Sequence, residues 1–423
     1  MSEENTSYAE EMLAAIHLGQ FDQADKLFKK ALAHDSDDLI YSLGEELYAQ
    51  GFLDQAKAAY QHLLDKFPLE GSLKVALADI AIDEGQTDQA QEYLADVEED
   101  SPAFLQALMV KADLYQSEGL TESAEHCLNE AHRLAPDDDV VAFALAEFNF
   151  SNGNYAAAIK QYRDLLLKGQ RHIAQVDIVS RIGNAYAAVG NYDNAIGYLE
   201  QIKPELLDLN TKFQLALLYF ETDRTDDAID LFKEVLEQDS HYTSVYPLLG
   251  QAYQREGNDK EARQTFQLGL SMDQTNPILY RLAAQAAQKD GDKEEALEDY
   301  QAALKLDELD PTNYDLLAKF YLDQHDFSAV VQLLTEAEEN DIHDAHFDWD
   351  LARAYHALEK EDLAQERWQA AQAELADDAA FLLDLADWHH EMGHVHQEKD
   401  NLQKYVQLVP DDFEAQERLN ELD

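Results

Sequence analysis

Basic residues are scarce in this chain, and so are cysteine and long apolar runs. Only 31 of the 423 residues are Lys or Arg, against 87 Asp and Glu, which gives a formal net charge of −56. A nucleic-acid backbone and an anionic membrane surface both require clustered cations. The composition therefore argues against nucleic acid and anionic membrane partners, and an acidic surface of this kind keeps a long chain in solution.

The shortage of cysteine and of apolar runs bears on the cell compartment. Cys127 is the one cysteine, so no disulfide can form within the chain, which fits a reducing environment. The most apolar run, around residues 140–146, ends at Glu147 and is far shorter than the roughly 20 residues of a membrane-spanning helix. The opening MSEENTSYAEEM has neither the basic nor the apolar region of a secretory signal. These features predict a cytoplasmic protein without membrane insertion.

Glycine-rich phosphate loops are also missing, because neither GxxxxGK[ST] nor GxGxxG occurs. The glycines fall instead into a repeated G-x-x-x-x-A pattern. It defines twelve pivot positions, most often 34 residues apart, at Gly19, Gly51, Gly85, Gly119, Gly153, Gly190, Asp223, Gly257, Gly291, His325, Glu359 and Gly393. Five residues after each pivot stand Ala24, Ala56, Ala90, Ala124, Ala158, Ala195, Ala228, Ala262, Ala296, Val330, Ala364 and Glu398. Ten alanines in twelve places indicate a structural repeat.

Each repeat is predicted to be a helix, a tight turn and a second helix. A small residue lies seven positions before most pivots, as at Gly44 and Gly183, and we expect it to face the alanine of the second helix. This contact lets the two axes approach to the near end of the usual 8–10 Å range. A left-handed pivot residue should end the first helix. Asn or Asp then begins the turn and can cap the second helix, at Asn154, Asn191, Asn258, Asp292 and Asp326.

A 34-residue period with these small residues resembles the tetratricopeptide repeat family, over nearly the whole chain. The resemblance implies an all-α, right-handed superhelical solenoid of about twelve helix–turn–helix repeats with a C-terminal capping helix. It also implies a binding scaffold whose concave groove is lined by the first helix of each repeat. The chain's length and acidity are further similar to those of the YpiA-like group of cytoplasmic tetratricopeptide proteins of Gram-positive bacteria.

The pattern predicts one continuous solenoid with two special ends and one interruption. Residues 1–6 are expected to be disordered, 7–171 to hold repeats one to five, 172–410 to hold repeats six to twelve, and 411–423 to form the capping helix. One interval of 37 residues, between Gly153 and Gly190, adds about three residues near the segment LLLKGQRHIAQ. A longer loop or a hinge is therefore expected near residues 166–175.

Aromatic residues recur on the face of the first helices that the packing within repeats does not require. With the pivot counted as position fifteen, positions two, five, nine and twelve lie roughly 100° or more around the helix from the packing positions. Positions five and twelve hold Tyr41 and Tyr48, Phe143 and Phe150, and Phe213 and Phe220, with Met109 and Trp349 at position five of two other repeats. These side chains are candidate anchors for a partner segment. The alternative is burial against neighbouring repeats.

Cations gather on the same face in repeats six to eleven, although the chain has few of them. They are Arg181, Arg255, Arg281, Lys289, Lys319 and Arg353, with Asn184 at position nine of repeat six. A partner that is acidic or carries a free C-terminal carboxylate would suit such a set. The alternative is neutralisation of the chain's own acids, such as Asp315 and Asp323.

The segment HHEMGH offers the sharpest catalytic pattern, because His390, Glu391 and His394 match the H-E-x-x-H motif of zinc proteases. The repeat register argues against it, since Gly393 is a pivot and places His394 in the turn. Neither a catalytic role, nor a cofactor, nor a metal site is therefore predicted. The predicted function is a non-catalytic interaction scaffold, with a monomer as the expected state. A zinc-dependent hydrolase and a self-associating assembly factor are the alternatives.

Overall fold

The computed structural model describes residues 7–422, which form 25 α-helices, one 3₁₀ turn and one short hairpin. The chain divides into two compact units, which we call unit 1 (Met1–Leu207) and unit 2 (Asp208–Asp423). The disorder expected for residues 1–6 concerns a segment outside the described residues. No helix within residues 7–422 combines the length and the apolar character needed to cross a membrane.

Unit 1 consists of six consecutive helix pairs. Its helices are α1 (Tyr8–His17), α2 (Phe21–His34), α3 (Asp37–Ala49), α4 (Leu53–Lys66), α5 (Gly71–Asp83), α6 (Thr87–Ala95), α7 (Phe104–Ser117), α8 (Thr121–Leu134), α9 (Asp139–Ser151), α10 (Tyr155–Leu167), α11 (Ile178–Ala188) and α12 (Tyr192–Leu199). The strands β1 (His172–Ile173) and β2 (Val176–Asp177) separate α10 from α11, and the 3₁₀ turn Pro204–Leu206 follows α12.

Unit 2 consists of six further pairs and a single last helix. Its helices are α13 (Leu209–Glu221), α14 (Thr225–Gln238), α15 (Val245–Arg255), α16 (Asp259–Met272), α17 (Pro277–Asp290), α18 (Lys293–Leu306), α19 (Pro311–Asp323), α20 (Phe327–Glu339), α21 (Ala345–Ala357), α22 (Glu361–Glu374), α23 (Ala379–Glu391), α24 (Val395–Leu408) and α25 (Phe413–Glu421). The prediction of about twelve helix–turn–helix repeats in an all-α protein is confirmed.

The pivots end the first helices as the sequence predicted. All nine glycine pivots have a positive φ, between 71° and 84°. Asp223, His325 and Glu359 adopt the same conformation without glycine, each with a φ of 58°. The turn geometry is therefore preserved where the residue type is not. Capping of the second helix is less regular: the side chains of Asn191, Asp292 and Asp326 accept from the backbone as expected.

The prediction of a side-chain cap was wrong at Asn154 and Asn258. Each occupies the N-cap position of its helix, but neither side chain accepts a backbone hydrogen bond. The backbone closes the turn at these two positions, as it also does at Asn191, Asp292 and Asp326. The N–H of Asn154 donates to the carbonyl of Asn149, and that of Asn258 donates to the carbonyl of Tyr253, both at 2.8 Å.

Close packing within each pair explains the small residues. The residue five positions after the pivot is at most 3% exposed in all twelve repeats. A Cβ placed on Gly183 would lie 2.7 Å from the Leu199 side chain and 3.3 Å from the carbonyl oxygen of Ala195. A Cβ on Gly250 would collide with the ring of Phe266. Glycine at this position therefore makes room for a large side chain of the second helix.

The insertion expected near residues 166–175 contains a two-stranded antiparallel hairpin, in which Ile173 pairs with Val176. Ala174 and Gln175 form its turn with φ values of 47° and 66°. Ile173 is 9% exposed and joins the core that contains Phe143 and Tyr162. The sequence did not indicate these strands.

Candidate functional site

The groove face of unit 1 is formed by positions five, nine and twelve of the first helices α3, α5, α7 and α9. Four of the predicted anchors, Tyr41, Tyr48, Met109 and Phe150, are half-buried on this face. Phe143 is only 8% exposed and packs at 6.2 Å from the ring of Tyr162, so most of its surface belongs to the core. The structure thus brings four of the five unit 1 anchors to a partly open surface.

Each half-buried aromatic residue of this face is held by a neighbour. The Tyr41 ring meets that of Tyr60 edge-on at 5.7 Å. The Tyr48 hydroxyl donates to Asp83 Oδ2 at 2.8 Å, and burial together with this carboxylate raises the pKa of Tyr48. The ring of Phe150 lies at 5.5 Å from that of Tyr155. These contacts restrict the orientations of the three rings.

A cleft of about 640 Å³ opens beside Tyr41. Tyr41, Leu63, Phe67 and Leu73 supply its apolar surface, and Phe67 is 47% exposed. Its polar lining consists of Ser36, Asp37, Asp38, Glu70 and Ser72. The cleft therefore combines an apolar wall with three carboxylates and lies within ligand-pocket dimensions.

A row of acids at position nine was missed at the sequence level. It consists of Glu45, Asp79, Asp113 and Glu147, on α3, α5, α7 and α9. The members are 34 residues apart, so the repeat register contained the signal, but the abundance of acids in this chain obscured it. We call these four residues the acidic row.

The ionised forms of Asp79 and Asp113, the two central residues of the acidic row, are disfavoured by their surroundings. Burial, followed by the nearby carboxylates of Asp113 and Asp83, raises the pKa of Asp79 from 3.8 to about 7. Burial also raises the pKa of Asp113. Desolvation and like charge both disfavour the ionised form of a carboxyl group. The fold of residues 7–422 therefore places no cation that stabilises the ionised forms of these two central carboxyl groups.

The cations predicted to form a basic face all lie close to acids of the chain itself. Arg181 Nε lies 2.9 Å from Glu147, Arg255 Nη1 3.7 Å from Asp223, Lys289 Nζ 2.7 Å from Asp259, and Lys319 Nζ 2.8 Å from Asp315, while Arg281 pairs with Asp310. Arg353 lies 3.3 Å from Asp384 and 3.6 Å from Asp350. This arrangement agrees with the neutralisation alternative, and a role of these six side chains in partner binding stays a prediction.

Arg255 and Phe220 are engaged with each other in unit 2. The guanidinium of Arg255 lies 3.6 Å from the centre of the Phe220 ring, and its Nη1 donates to the Phe220 carbonyl at 2.6 Å. Phe220 is 5% exposed. Phe213 is half-buried and contacts the rings of Phe232 and Tyr242. The unit 2 aromatic pair is thus more enclosed than Tyr41 and Tyr48.

Trp349 and Arg353 meet through a shared carboxylate. The indole Nε1 of Trp349 donates to Asp384 Oδ2 at 2.7 Å, and Arg353 Nε lies 3.3 Å from the same oxygen. A cleft of about 430 Å³ lies beside Arg353 and Asp384, with Trp368 and Trp388 in its lining. Trp368 is 3% exposed, as expected for a core residue.

Asn184 of unit 1 is half-buried on α11.

The HEMGH segment does not form a continuous helix. Helix α23 ends at Glu391, Gly393 has a φ of 73°, and His394 is the N-cap of α24. His390 Nδ1 lies 3.1 Å from Glu398, and Glu391 contacts His356 Nε2 at 2.9 Å. The helix break that the register predicted is confirmed. Within residues 7–422, no group of three or more His, Cys, Asp or Glu side chains is arranged to hold a metal ion.

Comparison with family models agrees with the repeat register. Models of tetratricopeptide repeats match residues 41–103, 75–139, 179–208, 219–286 and 277–308. Two further models match: the one described as YpiA-like, tetratricopeptide repeats, at residues 116–170, and the one described as YpiA-like, C-terminal tetratricopeptide repeats, at 346–412. The chain therefore belongs to the tetratricopeptide repeat proteins, which generally act as protein-interaction scaffolds.

Within this class the chain is similar to the TPR repeat-containing protein YpiA of Bacillus subtilis strain 168. The two are 28% identical over 386 residues, which cover 91% of this chain and 90% of YpiA. Among solved structures, the APC/C hetero-tetramer Cut9–Hcn1 aligns with a TM-score of 0.43 and 13% identity over 98% of this chain and 96% of its own. A tetratricopeptide repeat protein from Parabacteroides merdae aligns with a TM-score of 0.42 and 18% identity, over 62% of this chain and 98% of its own.

Proposed function

We propose that the protein is a non-catalytic scaffold that holds a segment of a partner protein on the groove face of unit 1. The observation that carries the proposal is the set of half-buried side chains on this face, Tyr41, Tyr48, Met109 and Phe150, beside the 640 Å³ cleft. The tightest contacts within the helix pairs are made at another position, such as Gly44 against Tyr60. Large amphipathic side chains with restricted rotamers are typical anchors of protein interfaces.

We favour the groove face of unit 1 over the predicted basic face as the binding surface, because the cations of the basic face lie beside carboxylates of the same chain. Capture of an acidic segment or a C-terminal carboxylate requires cations that are available to the partner. Arg181, Arg281 and Arg353 each lie within ion-pair distance of carboxylates of their own chain. An acidic partner would have to displace these carboxylates, so it is the weaker candidate. The single cysteine supports a reducing compartment, such as the cytoplasm, for this activity.

The proposal predicts that removing the anchors releases the partner. Tagged full-length protein carrying Tyr41→Ala, Tyr48→Ala and Phe150→Ala together should recover the main partner at least about tenfold less well from an extract of the source cells. Each truncation removes apolar contact area at the centre of the surface. Quantitative mass spectrometry of the captured proteins provides the measurement, and circular dichroism confirms the fold of each variant.

A matched control removes three aromatic residues elsewhere in unit 1. Phe21, Phe52 and Tyr192 lie at the starts of second helices, away from the groove face, and are exposed or half-buried. Their triple alanine variant should capture the partner as the wild type does. Equal capture by both triple variants would remove the groove face of unit 1 from the proposal.

A further inference from the structure

We infer that the partner segment held on the groove face of unit 1 is cationic and amphipathic, with Lys or Arg side chains interspersed among apolar ones. This inference rests on the proposed function and names the chemical class of its partner. It follows from the arrangement of the face, in which the acidic row runs between positions five and twelve. These two positions hold apolar or aromatic residues except at Gln116, although Val75 and Phe143 are buried. The three sets of residues occupy the same register in α3, α5, α7 and α9.

The repeat sets the spacing that a partner must match. Neighbouring packed helices lie about 8–10 Å apart, so successive members of the acidic row recur at about that interval. A segment in the polyproline II conformation rises about 3.1 Å per residue with three residues per turn, so cations at every third residue share one face and recur at about that interval. Apolar residues between the cations would reach side chains such as Tyr41 and Tyr48 on either side.

Charge complementarity indicates that the partner segment carries positive charge. The ion pairs within the described part of the chain include none that neutralises Glu45, Asp79 or Asp113, whereas Glu147 is paired with Arg181. Unit 2 differs at the same position in five of its six repeats, where the sequence has Leu217, Gln251, Gln285, Lys319 and Arg353; the last repeat has Asp387. Asp79 is half-buried, whereas Glu45 and Asp113 are exposed. A half-buried carboxylate without a counter-ion is unfavourable, and a cation placed beside Asp79 removes that cost.

The cleft beside Tyr41, at one end of the groove face, also combines apolar side chains with carboxylates. Of its three carboxylates, Asp37 is paired with Lys66 at 2.8 Å, and no such pair is present for Asp38 or Glu70 within residues 7–422. The apolar wall of Tyr41, Leu63, Phe67 and Leu73 lies next to these acids. An apolar side chain followed by Lys or Arg would satisfy both parts, and the cation can also contact the Tyr41 ring.

Defined synthetic peptides test the inference on the full-length protein. The probe is fluorescent (Lys-Ala-Leu)₅, compared with (Glu-Ala-Leu)₅ and (Lys-Ala-Ser)₅, in fluorescence anisotropy at physiological ionic strength. We expect the first peptide to bind, the glutamate peptide not to bind, and the serine peptide to bind more weakly because it lacks apolar side chains. Binding of the serine peptide as tightly as the leucine peptide would overturn the amphipathic part of the inference.

Two charge-matched variants separate the groove face from the general acidity of the surface. Glu45→Gln, Asp79→Asn and Asp113→Asn together should weaken binding of (Lys-Ala-Leu)₅ by about tenfold or more. The control variant, with Asp54→Asn, Glu92→Gln and Glu125→Gln, changes exposed acids of second helices by the same net charge and should bind like the wild type. The inference would be overturned if both variants weakened binding of the peptide equally, or if neither variant weakened it.

Failure of this inference is distinguishable from failure of the proposed function. If the natural partner is lost from the Tyr41/Tyr48/Phe150 variant but retained by the acidic-row variant, the scaffold proposal stands and the cationic partner does not. If the natural partner is retained by both variants, the groove face is not the binding surface. Loss from both variants supports both statements.

Discussion

Arg418→Ala is expected to destabilise the C-terminal repeat by about 3 kcal/mol, because it removes the guanidinium from a buried carboxylate that keeps the contact with His390 Nδ1 at 3.1 Å. Glu398 stands where ten of the twelve repeats have alanine, and it is 1% exposed. Arg418, on the last helix α25, donates its Nε to Glu398 Oε1 at 2.8 Å and also pairs with Asp387. The single buried residue of α25 is Ala415, so this charge contact is a major attachment of the helix.

The same reasoning predicts that a second substitution rescues the first. Glu398→Ala restores the alanine of the other repeats, and Glu398→Ala with Arg418→Ala should recover most of the lost stability. Urea unfolding followed by tryptophan fluorescence at pH 8 is suited to this end of the chain, since Trp349, Trp368 and Trp388 lie in the two final helix pairs. The exposed pair of Arg133 with Glu130 supplies a control, and Arg133→Ala should leave this transition unchanged. A double variant less stable than Arg418→Ala would contradict the account.

Stability of unit 1 is expected to fall as the pH rises from about 4 to about 7, because of Asp79. The carboxyl has a pKa of about 7 in the folded chain and an ordinary value of 3.8 when unfolded. Between these values the folded state keeps a proton that the unfolded state has lost, so raising the pH favours unfolding until the folded carboxyl has also ionised. The groups that act on this region are Asp83, Asp113 and the Tyr48 and Tyr60 hydroxyls.

Asp79→Asn should remove this pH dependence and raise stability at pH 8. The difference between the two pKa values corresponds to at most about 4 kcal/mol. Thermal unfolding by circular dichroism at pH 5.5 and pH 8 measures it, with Glu92→Gln on the exposed side of α6 as the control. If the wild type and Asp79→Asn show the same change in melting temperature between the two pH values, Asp79 is not the titrating group.

Local rules of helix geometry made most of the fold predictable. The twelve pivots follow from a period that survives even where glycine is replaced, as at Asp223 and His325. The hairpin at residues 172–177 was not predictable in this way, because strands of two residues have no periodicity. Its turn, Ala174 and Gln175, also lacks the glycine and asparagine that normally signal such turns. The missing side-chain caps at Asn154 and Asn258 depend on rotamers that spacing does not determine.

The candidate site was only partly predictable, because burial depends on how adjacent repeats twist against each other. Tyr41 and Phe143 occupy the same position of their repeats, yet one is half-buried and the other 8% exposed. Ion-pair partners about 30 residues away, such as Asp259 for Lys289, follow from the stacking rather than from local sequence. The acidic row, in contrast, was visible in the register once position nine was compared across repeats.

The central claim, that the groove face of unit 1 holds a partner segment, is tested most directly by site-specific photo-crosslinking in the source cells. Benzoylphenylalanine is placed at Tyr48 on the groove face and, in a second protein, at Glu92 on the exposed side of α6. The account predicts that position 48 crosslinks a distinct protein through a segment rich in Lys or Arg and apolar residues, and that position 92 does not. The same crosslinked proteins from both positions, or products from position 92 alone, would contradict it.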